Sequence, residues 1–205
     1  MLFIFDINET LLDMSPLDDV IGSTERRREW FALVIKAALV SASTGVYRDF
    51  ADLGGAAATM CGLGEDAVER LGATMRTLPG HPDVLPGLKR LRGGGHRLVA
   101  LGNSPRRVLE PQLDNAGIAP LLHAVYSVEQ AHALKPHPAA YHHALTAEGV
   151  IAAEATMVAA HDWDIAGAAA VGMRTALLTR GGQRPLPLQP APTSTVSTIG
   201  QLTPQ

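Results

Sequence analysis

The sequence has almost no cysteine, no long apolar run and no excess of positive charge. Cys61 is the only cysteine among 205 residues, so no disulfide can form within the chain, and we interpret it as a small buried hydrophobic residue. No apolar run approaches the roughly 18 to 20 residues of a membrane-spanning helix. The chain opens without a basic segment ahead of an apolar one, so we expect no targeting peptide and a cytoplasmic protein. Since the formal net charge is -3, we expect neither a nucleic acid nor a membrane as partner.

Length and local pattern predict an α/β domain. A chain of 205 residues is long enough for one such domain with a modest insertion. The first apolar run, Phe3-Ile4-Phe5, is typical of a buried strand, and it leads directly to Asp6 in a polar turn with Asn8. In open α/β sheets, functional groups collect beyond the carboxyl ends of such strands. Asp6 is therefore either part of a site or a residue that caps a turn.

Residues 14–79 have a helical pattern. Apolar residues at spacings of three and four predict one helical face: Trp30, Phe31, Val34, Ile35, Ala38 and Leu39. Gly54-Gly55 and two later glycines are expected to interrupt the following segment, and a short helix is predicted over 66–75. Because no strand pattern occurs here, we predict a helical cap over 14–79, inserted after the first strand.

From residue 80 onward, strand and helix patterns alternate. Helices are predicted over 84–92, 107–116, 138–148 and 165–171. Strands are predicted over 97–101, 123–127, 155–160 and 175–179. This alternation predicts an α/β fold with a Rossmann-like, doubly wound parallel sheet as its core, formed by 1–13 and 80–205. The tail from Pro185 is expected to be an extended surface segment with at most a short final strand or turn.

Polar residues follow several of the predicted strands. They are Asp6 and Asn8 after the first strand, Asn103 and Ser104 after the second, Lys135 after the third, and His161, Asp162 and Asp164 after the fourth. The carboxyl ends of parallel strands share one edge of a sheet, so these side chains are expected to converge. A buried lysine beside a carboxylate keeps that carboxylate ionised, as a carboxylate nucleophile requires. Convergence favours a site over a simple turn cap for Asp6.

Four short motifs stand at these strand ends. They are Phe5-Asp6-Ile7-Asn8-Glu9-Thr10-Leu11, Leu101-Gly102-Asn103-Ser104-Pro105, Lys135-Pro136 through Tyr141, and Val158-Ala159-Ala160-His161-Asp162-Trp163-Asp164 through Gly167. In this order and at these spacings they resemble the haloacid dehalogenase superfamily, and most closely its type II 2-haloacid dehalogenase branch. The resemblance covers nearly the whole chain, including the helical cap before residue 80.

The resemblance implies a hydrolase that works in two steps. Asp6 would attack the carbon that bears the leaving group and form an ester, and water would then attack the carboxyl carbon of Asp6. Lys135 would hold Asp6 ionised, and Asp164 would hold Lys135 or the water. The implied catalytic residues are Asp6, Thr10, Lys135, His161 and Asp164. The implied substrate-binding residues are Asn8, Ser41, Asn103, Ser104 and Tyr141.

Asn8 favours carbon–halogen chemistry over hydrolysis of a phosphate ester. In the phosphatases of this superfamily an Asp at this place protonates the leaving alcohol, whereas a halide needs no proton to leave. The acid that those phosphatases use for Mg²⁺ falls on Ala159-Ala160, so we expect no metal or other cofactor. The implied substrate is a small 2-haloalkanoic acid. Asp162 keeps open the alternative of a phosphatase or related hydrolase that uses Mg²⁺.

Three positions depart from the dehalogenase pattern. Gly102 replaces a Ser or Thr that grips the anionic group of the substrate, and Ser104 could substitute for it. Ser41 stands where a cap arginine is expected, although Arg48 or the Arg26–Arg28 cluster could reach the site. His161 replaces an Asn and is either a base that activates water or a packed polar residue. These departures also keep open a binding or regulatory protein with a disabled pocket, and the sequence is compatible with a homodimer.

Overall fold

Our computed structural model describes residues 1–180 and 190–203. A six-stranded parallel sheet forms the core of these residues. The strands are β1 (Leu2–Phe5), β2 (Arg97–Gly102), β3 (Ala124–Ser127), β4 (Ala155–Ala159), β5 (Arg174–Leu178) and β6 (Ser194–Val196). Their order is β3-β2-β1-β4-β5-β6, and every neighbouring pair is parallel. This is the strand order of a doubly wound Rossmann-like sheet, so the predicted fold class is confirmed.

The register of the central strands determines where functional groups can lie. Phe5, the last residue of β1, is opposite Ala100 on β2 and Val158 on β4. The strand order changes direction at β1, and the residues that follow it therefore stand at the crevice where α/β proteins bind ligands. The backbone N–H of Asp6 donates to the carbonyl of Val158 of β4 at 3.0 Å, which fixes Asp6 at the carboxyl edge of the sheet.

Helices connect the strands and also form the long insertion after β1. The insertion contains α1 (Asp18–Ile21), α2 (Thr24–Thr44), α3 (Phe50–Met60) and α4 (Glu65–Met75). The remaining helices are α5 (Val84–Gly93), α6 (Arg106–Asn115), α7 (Pro138–Glu148) and α8 (Asp162–Ala170). β1 and β4 are buried along their whole length, as strands covered on both faces are. Within residues 1–180 and 190–203, the helices lack the length and apolarity that crossing a membrane would require.

The predicted helices and strands match these bounds closely, with one larger difference at α8. That helix begins at Asp162, three residues before the predicted start at 165. Asp162 and Asp164 occupy its first turn, where carboxylates interact favourably with the exposed N–H groups of a helix. The first turn of α8 therefore holds polar residues that an apolar pattern does not detect.

The insertion between β1 and α5 is helical, as predicted, but one expected interruption is absent. Gly54 and Gly55 lie inside α3 rather than between helices. The carbonyl of Gly54 accepts a hydrogen bond from the indole Nε1 of Trp30 at 2.9 Å, so contact between α2 and α3 supports a helix that glycine would weaken. The division into a cap over 14–79 and a separate core stays a prediction.

The segment after β5 packs against the rest of the protein more closely than predicted. Residues 185–189 of the predicted tail lie outside the described residues. β6 pairs with β5, which confirms a short final strand. Ile199 and Leu202 beyond it are buried, however, and the backbone N–H of Ile199 donates to Asp83 at 2.8 Å. A Cβ on Gly87 of α5 would lie 2.6 Å from Ile199, so the glycine is needed for this close approach.

Candidate active site

Asp6 and Lys135 form the centre of a buried ionic cluster at the carboxyl edge of the sheet. The Nζ of Lys135 donates to Asp6 Oδ1 at 2.8 Å, to Asp164 Oδ2 at 2.7 Å and to the carbonyl of Leu101 at 3.0 Å. An ammonium has three N–H donors, so all of them are used. Lys135 is only 1% exposed, and these contacts compensate for the burial of its charge.

Two residues from neighbouring loops hold this pair in place. The hydroxyl of Thr10 donates to Asp6 Oδ2 at 2.6 Å and accepts the backbone N–H of Ala160 at 2.9 Å, which joins the turn after β1 to the end of β4. Asn103 follows β2, and its Oδ1 accepts the backbone N–H of Lys135 at 2.8 Å. The loops after three strands therefore orient Asp6 and Lys135 together.

Tyr141 contacts Asp164, the second carboxylate partner of Lys135. The hydroxyl of Tyr141 donates to Asp164 Oδ1 at 2.7 Å, and Tyr141 is fully buried. A Cβ on Gly167 of α8 would lie 2.4 Å from this hydroxyl, so only glycine allows the two helices to approach closely enough. The hydroxyl of Tyr141 thus contacts Asp164 and does not line the small cavity beside Asp6, and its role in substrate binding stays a prediction.

The electrostatic environment keeps Asp6 and Lys135 charged. Burial raises the pKa of Asp6, but Lys135 and His161 outweigh burial and hold the pKa well below its usual range. Burial lowers the pKa of Lys135, but the Asp164 and Asp6 carboxylates raise it above its ordinary value. Burial and the charge of Asp6 raise the pKa of Asp164. At neutral pH the site therefore presents an ionised Asp6 carboxylate held by an ammonium.

Glu9 and Arg27 belong to the same cluster, and the sequence motifs did not identify them as site residues. Glu9 Oε2 lies 2.9 Å from His161 Nε2, and Glu9 Oε1 accepts from Arg27 Nη1 at 3.1 Å. Glu9 has a φ of 60°, in the left-handed region that residues other than glycine seldom adopt and that is found most often at functional sites. Arg27 is 9% exposed, so one member of the Arg26–Arg28 cluster does reach towards the site, through Glu9.

His161 lies between the two acidic residues of the motif after β1. Its Nδ1 is 3.5 Å from Asp6 Oδ2, while its Nε2 faces Glu9. Burial would lower the pKa of His161, but the Asp6 and Glu9 carboxylates raise it to about 9. Its ring also stacks on Trp163, with ring centroids 5.3 Å apart. His161 is therefore a cation at neutral pH in the free protein.

A very small cavity lies beside Asp6. Its volume is about 10 Å³, close to the space that one water molecule needs. Among the described residues, three of its lining side chains have a buried polar atom without a hydrogen-bond partner: Asn8 Oδ1, Asn103 Nδ2 and His161 Nδ1. With His161 as a cation, the cavity thus offers one acceptor and two donors next to the Asp6 carboxylate, and Phe31 and Phe50 also line it.

Ser41 and Ser104, the two serines implied in substrate binding, do not line the small cavity beside Asp6. The hydroxyl of Ser41 donates to the carbonyl of Val46 at 2.5 Å near the end of α2, and Ser41 does not line the cavity beside Asp6. Its part in substrate binding stays a prediction. Ser104 lines a separate, larger cavity. Gly102 does line the small cavity, and a Cβ there would lie 2.8 Å from Leu109 and 2.9 Å from Ile7. Apolar side chains therefore fill the space that a Ser or Thr at Gly102 would need.

The acids near Asp6 do not suit a magnesium ion. Asp164 uses its two carboxylate oxygens on Lys135 and Tyr141. Asp162 accepts the backbone N–H of Trp163 at 2.8 Å in the first turn of α8. In the part of the chain that the structure describes, no group of three His, Cys, Asp or Glu side chains is arranged to hold a metal. A hard divalent cation would need more free oxygen ligands than this arrangement supplies.

Comparisons with known proteins agree with this geometry. A family model for haloacid dehalogenase-like hydrolases matches residues 1–172. Haloacetate dehalogenase H-2 of Moraxella sp. is 31% identical over 118 residues, which are 58% of this chain and 53% of that protein. The chain thus matches about half the length of that relative. (S)-2-haloacid dehalogenase 1 of Pseudomonas sp. is 28% identical over 189 residues, covering 86% of this chain and 83% of that protein.

A phosphatase and a solved structure are also similar. Phosphoglycolate phosphatase of Colwellia psychrerythraea is 32% identical over 101 residues, 49% of this chain and 45% of that protein. The structure of L-2-haloacid dehalogenase from Xanthobacter autotrophicus superimposes with a TM-score of 0.88 at 23% identity, covering 97% of this chain and 95% of that one. This structural likeness supports the fold, and the family model covers most of the sequence. The chain therefore belongs to the haloacid dehalogenase-like hydrolases.

Proposed function

We propose that the protein hydrolyses the carbon–halogen bond of a small 2-haloalkanoic acid through an ester on Asp6. The observation that carries this proposal is a buried, ionised carboxylate held by Lys135, with an amide at Asn8 where a leaving alcohol would need an acid. A carboxylate in this state is a nucleophile, and a halide leaves without receiving a proton. The two dehalogenase relatives support the same class of substrate.

In the first step, an Asp6 oxygen forms a bond to C2 of the substrate, and the carbon–halogen bond breaks with its electron pair going to the halide. The unpartnered Nδ2 donor of Asn103 lines the cavity beside Asp6 and is suited to an anion there. Lys135 keeps Asp6 deprotonated and oriented before the attack. Thr10 fixes the second carboxylate oxygen through its 2.6 Å hydrogen bond.

In the second step, water attacks the carboxyl carbon of Asp6. One proton of this water goes to His161 and the other goes to the ester oxygen, which leaves with the product as a 2-hydroxy acid. Esterification removes the negative charge of Asp6, which is one of the two charges that raise the pKa of His161. The pKa of His161 then falls, and in its neutral form Nδ1 accepts a proton from the attacking water. When the Asp6 carboxylate is restored, the imidazolium is again the stable form.

An open groove of about 1010 Å³ leads to His161 and Trp163 from the surface. Its charged lining includes the cations Arg27, Arg28, Lys36 and Arg180 and the anions Glu9 and Asp13. The excess of cations favours the approach of a carboxylate, although the cap arginine expected at Ser41 is missing. The groove is therefore the proposed route for an anionic substrate to Asp6.

Isotope labelling tests the ester on Asp6. A single turnover of 2-chloropropionate in ¹⁸O water should place the label in the peptide that contains Asp6, because water oxygen enters that carboxylate. Asp6→Ala should fold and release no halide. Turnover without label in that peptide, or halide release by Asp6→Ala, contradicts the ester mechanism.

A phosphatase is the second candidate, because the Colwellia relative carries that name. It predicts phosphate release that depends on added Mg²⁺, whereas the dehalogenase proposal predicts halide release without added metal. If a panel of 2-haloacids and phosphate esters yields neither product, a binding or regulatory protein becomes the better interpretation. The cytoplasmic location, the lack of a cofactor and the homodimer stay predictions.

A further inference from the structure

Each ring nitrogen of His161 faces a carboxylate. Nε2 lies 2.9 Å from Glu9 Oε2, and Nδ1 lies 3.5 Å from Asp6 Oδ2 without a hydrogen-bond partner among the described residues. The rings of Trp163 and Phe31 pack against the imidazole, with centroids 5.3 Å and 5.5 Å from its own. When His161 is neutral it can take a proton from water at Nδ1 only if its own proton is on Nε2.

The turn after β1 holds Glu9 in a constrained conformation. Its φ of 60° lies in the left-handed region, which residues other than glycine seldom adopt. The backbone carbonyl of Glu9 lies 3.2 Å from His81 Nε2, and the next carbonyl, of Thr10, accepts from Arg180 Nε at 2.8 Å. The side chain is held as well, by Arg27 Nη1 at 3.1 Å. Glu9 therefore presents its carboxylate to the imidazole from a turn that is fixed on several sides.

The charge of Glu9 selects one of the two neutral forms of His161. Oε1 of Glu9 accepts from Arg27, and Oε2 faces Nε2 of His161. Because a carboxylate can only accept hydrogen bonds, it favours a proton on Nε2. In a neutral imidazole the other nitrogen is then an acceptor, so Nδ1 has a free lone pair. His161 lines the small cavity beside Asp6, so this lone pair is available where water would attack.

We propose that Glu9 is a positioning residue that fixes the tautomer of His161, so that Nδ1 can accept a proton from the attacking water. The proposal rests on the proposed function, since it places this water at an ester of Asp6. Glu9 acts through His161 in the second step only, and the attack of Asp6 on the substrate does not depend on it.

Glutamine at residue 9 would reverse the preference. Its side chain has a single acceptor oxygen, and its other terminal group is an NH₂ donor. Arg27 cannot give up a proton, so it favours the amide oxygen, and the NH₂ group is then left to face Nε2 of His161. A donor at Nε2 favours the neutral form with its proton on Nδ1, which cannot act as a base towards the water.

Pre-steady-state kinetics with 2-chloropropionate test this role. Glu9→Gln should release a single equivalent of chloride per site at a rate close to that of the wild type, because the attack of Asp6 does not use His161 as a base. Hydrolysis of the ester should then be about 100-fold slower, as expected when a general base is lost. Mass spectrometry of the intact protein should detect the ester as it accumulates. Loss of the first equivalent of chloride together with turnover, or unchanged turnover, overturns the proposal.

A matched control separates this role from a merely structural one. Glu148 also bridges an arginine and a second donor: it accepts from Arg97 Nη2 at 3.1 Å and from the Tyr126 hydroxyl at 2.6 Å. Arg97 begins β2, so this pair lies at the opposite edge of the sheet from the site. Glu148→Gln should leave ester hydrolysis unchanged. If it slows hydrolysis as much as Glu9→Gln does, the effect is structural and the proposal is wrong.

A double variant provides a rescue. Combining Glu9→Gln with Arg27→Met removes the cation that competes for the amide oxygen, so that this oxygen can accept from Nε2 of His161. Ester hydrolysis should therefore be faster in the double variant than in Glu9→Gln alone. Equal or slower hydrolysis in the double variant contradicts the proposal.

The tautomer can also be measured without turnover. In Asp6→Ala, which cannot form the ester, ¹⁵N NMR at a pH above the pKa of His161 should show the proton on Nε2, and adding Glu9→Gln should move it to Nδ1. If the tautomer changes in this way but no haloacid releases halide, the proposed function fails and the positioning role of Glu9 stands. If halide is released but the tautomer is the same in both variants, the positioning role is wrong and the proposed function stands.

Discussion

Replacing Glu9 by glutamine is expected to lower the pKa of His161 from about 9 towards its ordinary value of 6.5. Glutamine keeps an oxygen that can accept from Nε2 but removes the negative charge 2.9 Å away. The remaining carboxylate, Asp6, lies 3.5 Å from Nδ1. Two charges at similar distances contribute comparably, so we expect the substitution to remove roughly half of the rise.

The stability of the protein should show the same interaction. A histidine whose pKa is raised on folding contributes stability that is fully present below its unfolded pKa of 6.5 and is lost as the pH rises through 9. A rise from 6.5 to about 9 corresponds to about 3 kcal/mol for a residue as buried as His161. In Glu9→Gln, roughly 1 to 2 kcal/mol of this pH-dependent stability should disappear.

Asp6→Asn tests the role of His161 after ester formation. An amide at residue 6 is neutral, as the proposed ester is, and it should also lower the pKa of His161, by at least about 1. Glu154→Gln is the control, because Glu154 is an exposed acid that precedes β4, at the opposite end of that strand from His161. Glu154→Gln should leave the pKa of His161 unchanged.

Two measurements decide the outcome. NMR titration gives the pKa of His161, with its signal assigned by comparison with His161→Gln, and urea unfolding between pH 5.5 and 10 gives the stability. If His161 titrates near 6.5 in the wild-type protein, or if Glu9→Gln and Asp6→Asn leave its pKa unchanged, the electrostatic argument is refuted.

Two further substitutions test the packing and charge of the site. Gly102→Thr should reduce the unfolding free energy by roughly 1 to 3 kcal/mol, measured in urea, because its Cβ would lie 2.8 Å from Leu109; equal stability would show that the neighbouring side chains move aside freely. Lys135→Met should cost roughly 3 to 5 kcal/mol at pH 7, since Asp6 and Asp164 would remain buried without their cation, and it should abolish halide release. The same loss of stability at pH 4 as at pH 7 would contradict this explanation, because protonation of the carboxylates should reduce it.

The pattern of the sequence was sufficient for the sheet and for the ionic centre. Apolar runs that end at Asp6 and Asn103 predicted β1 and β2, because a buried parallel strand contains few polar residues and the polar residues that follow it stand at one edge. Lys135 was predicted beside Asp6 for the same reason, and Lys135 Nζ lies 2.8 Å from Asp6 Oδ1. These features follow from local periodicity and from connection rules that leave few alternative topologies.

The rest of the site depends on contacts that periodicity does not encode. Glu9 meets Arg27 from α2 and His161 from the loop after β4, and neither pairing follows from the spacing of these residues in the chain. Counting along α2 put Ser41 at the place of the expected cap arginine, but counting could not predict that its hydroxyl bonds to Val46, because orientation along a long helix depends on how that helix packs. The signal that was available for Arg27 is its place one turn before Trp30 and Phe31, which face the interior.

The balance of charge in the site provides a further argument for the class of substrate. Asp6, Glu9 and Asp164 are paired with the cations Lys135, Arg27 and His161, and Arg27 is shared with Asp18. A haloacid adds one negative charge, and its attack by Asp6 removes the charge of that carboxylate while the halide departs. The substrate carboxylate then replaces the lost Asp6 charge, so the ester carries one negative charge there, as free Asp6 does. A phosphate monoester brings up to two negative charges, and the acids in the site are already committed to protein cations rather than to a metal that would compensate them. The fixed charges therefore suit a monoanionic substrate whose leaving group carries its charge away.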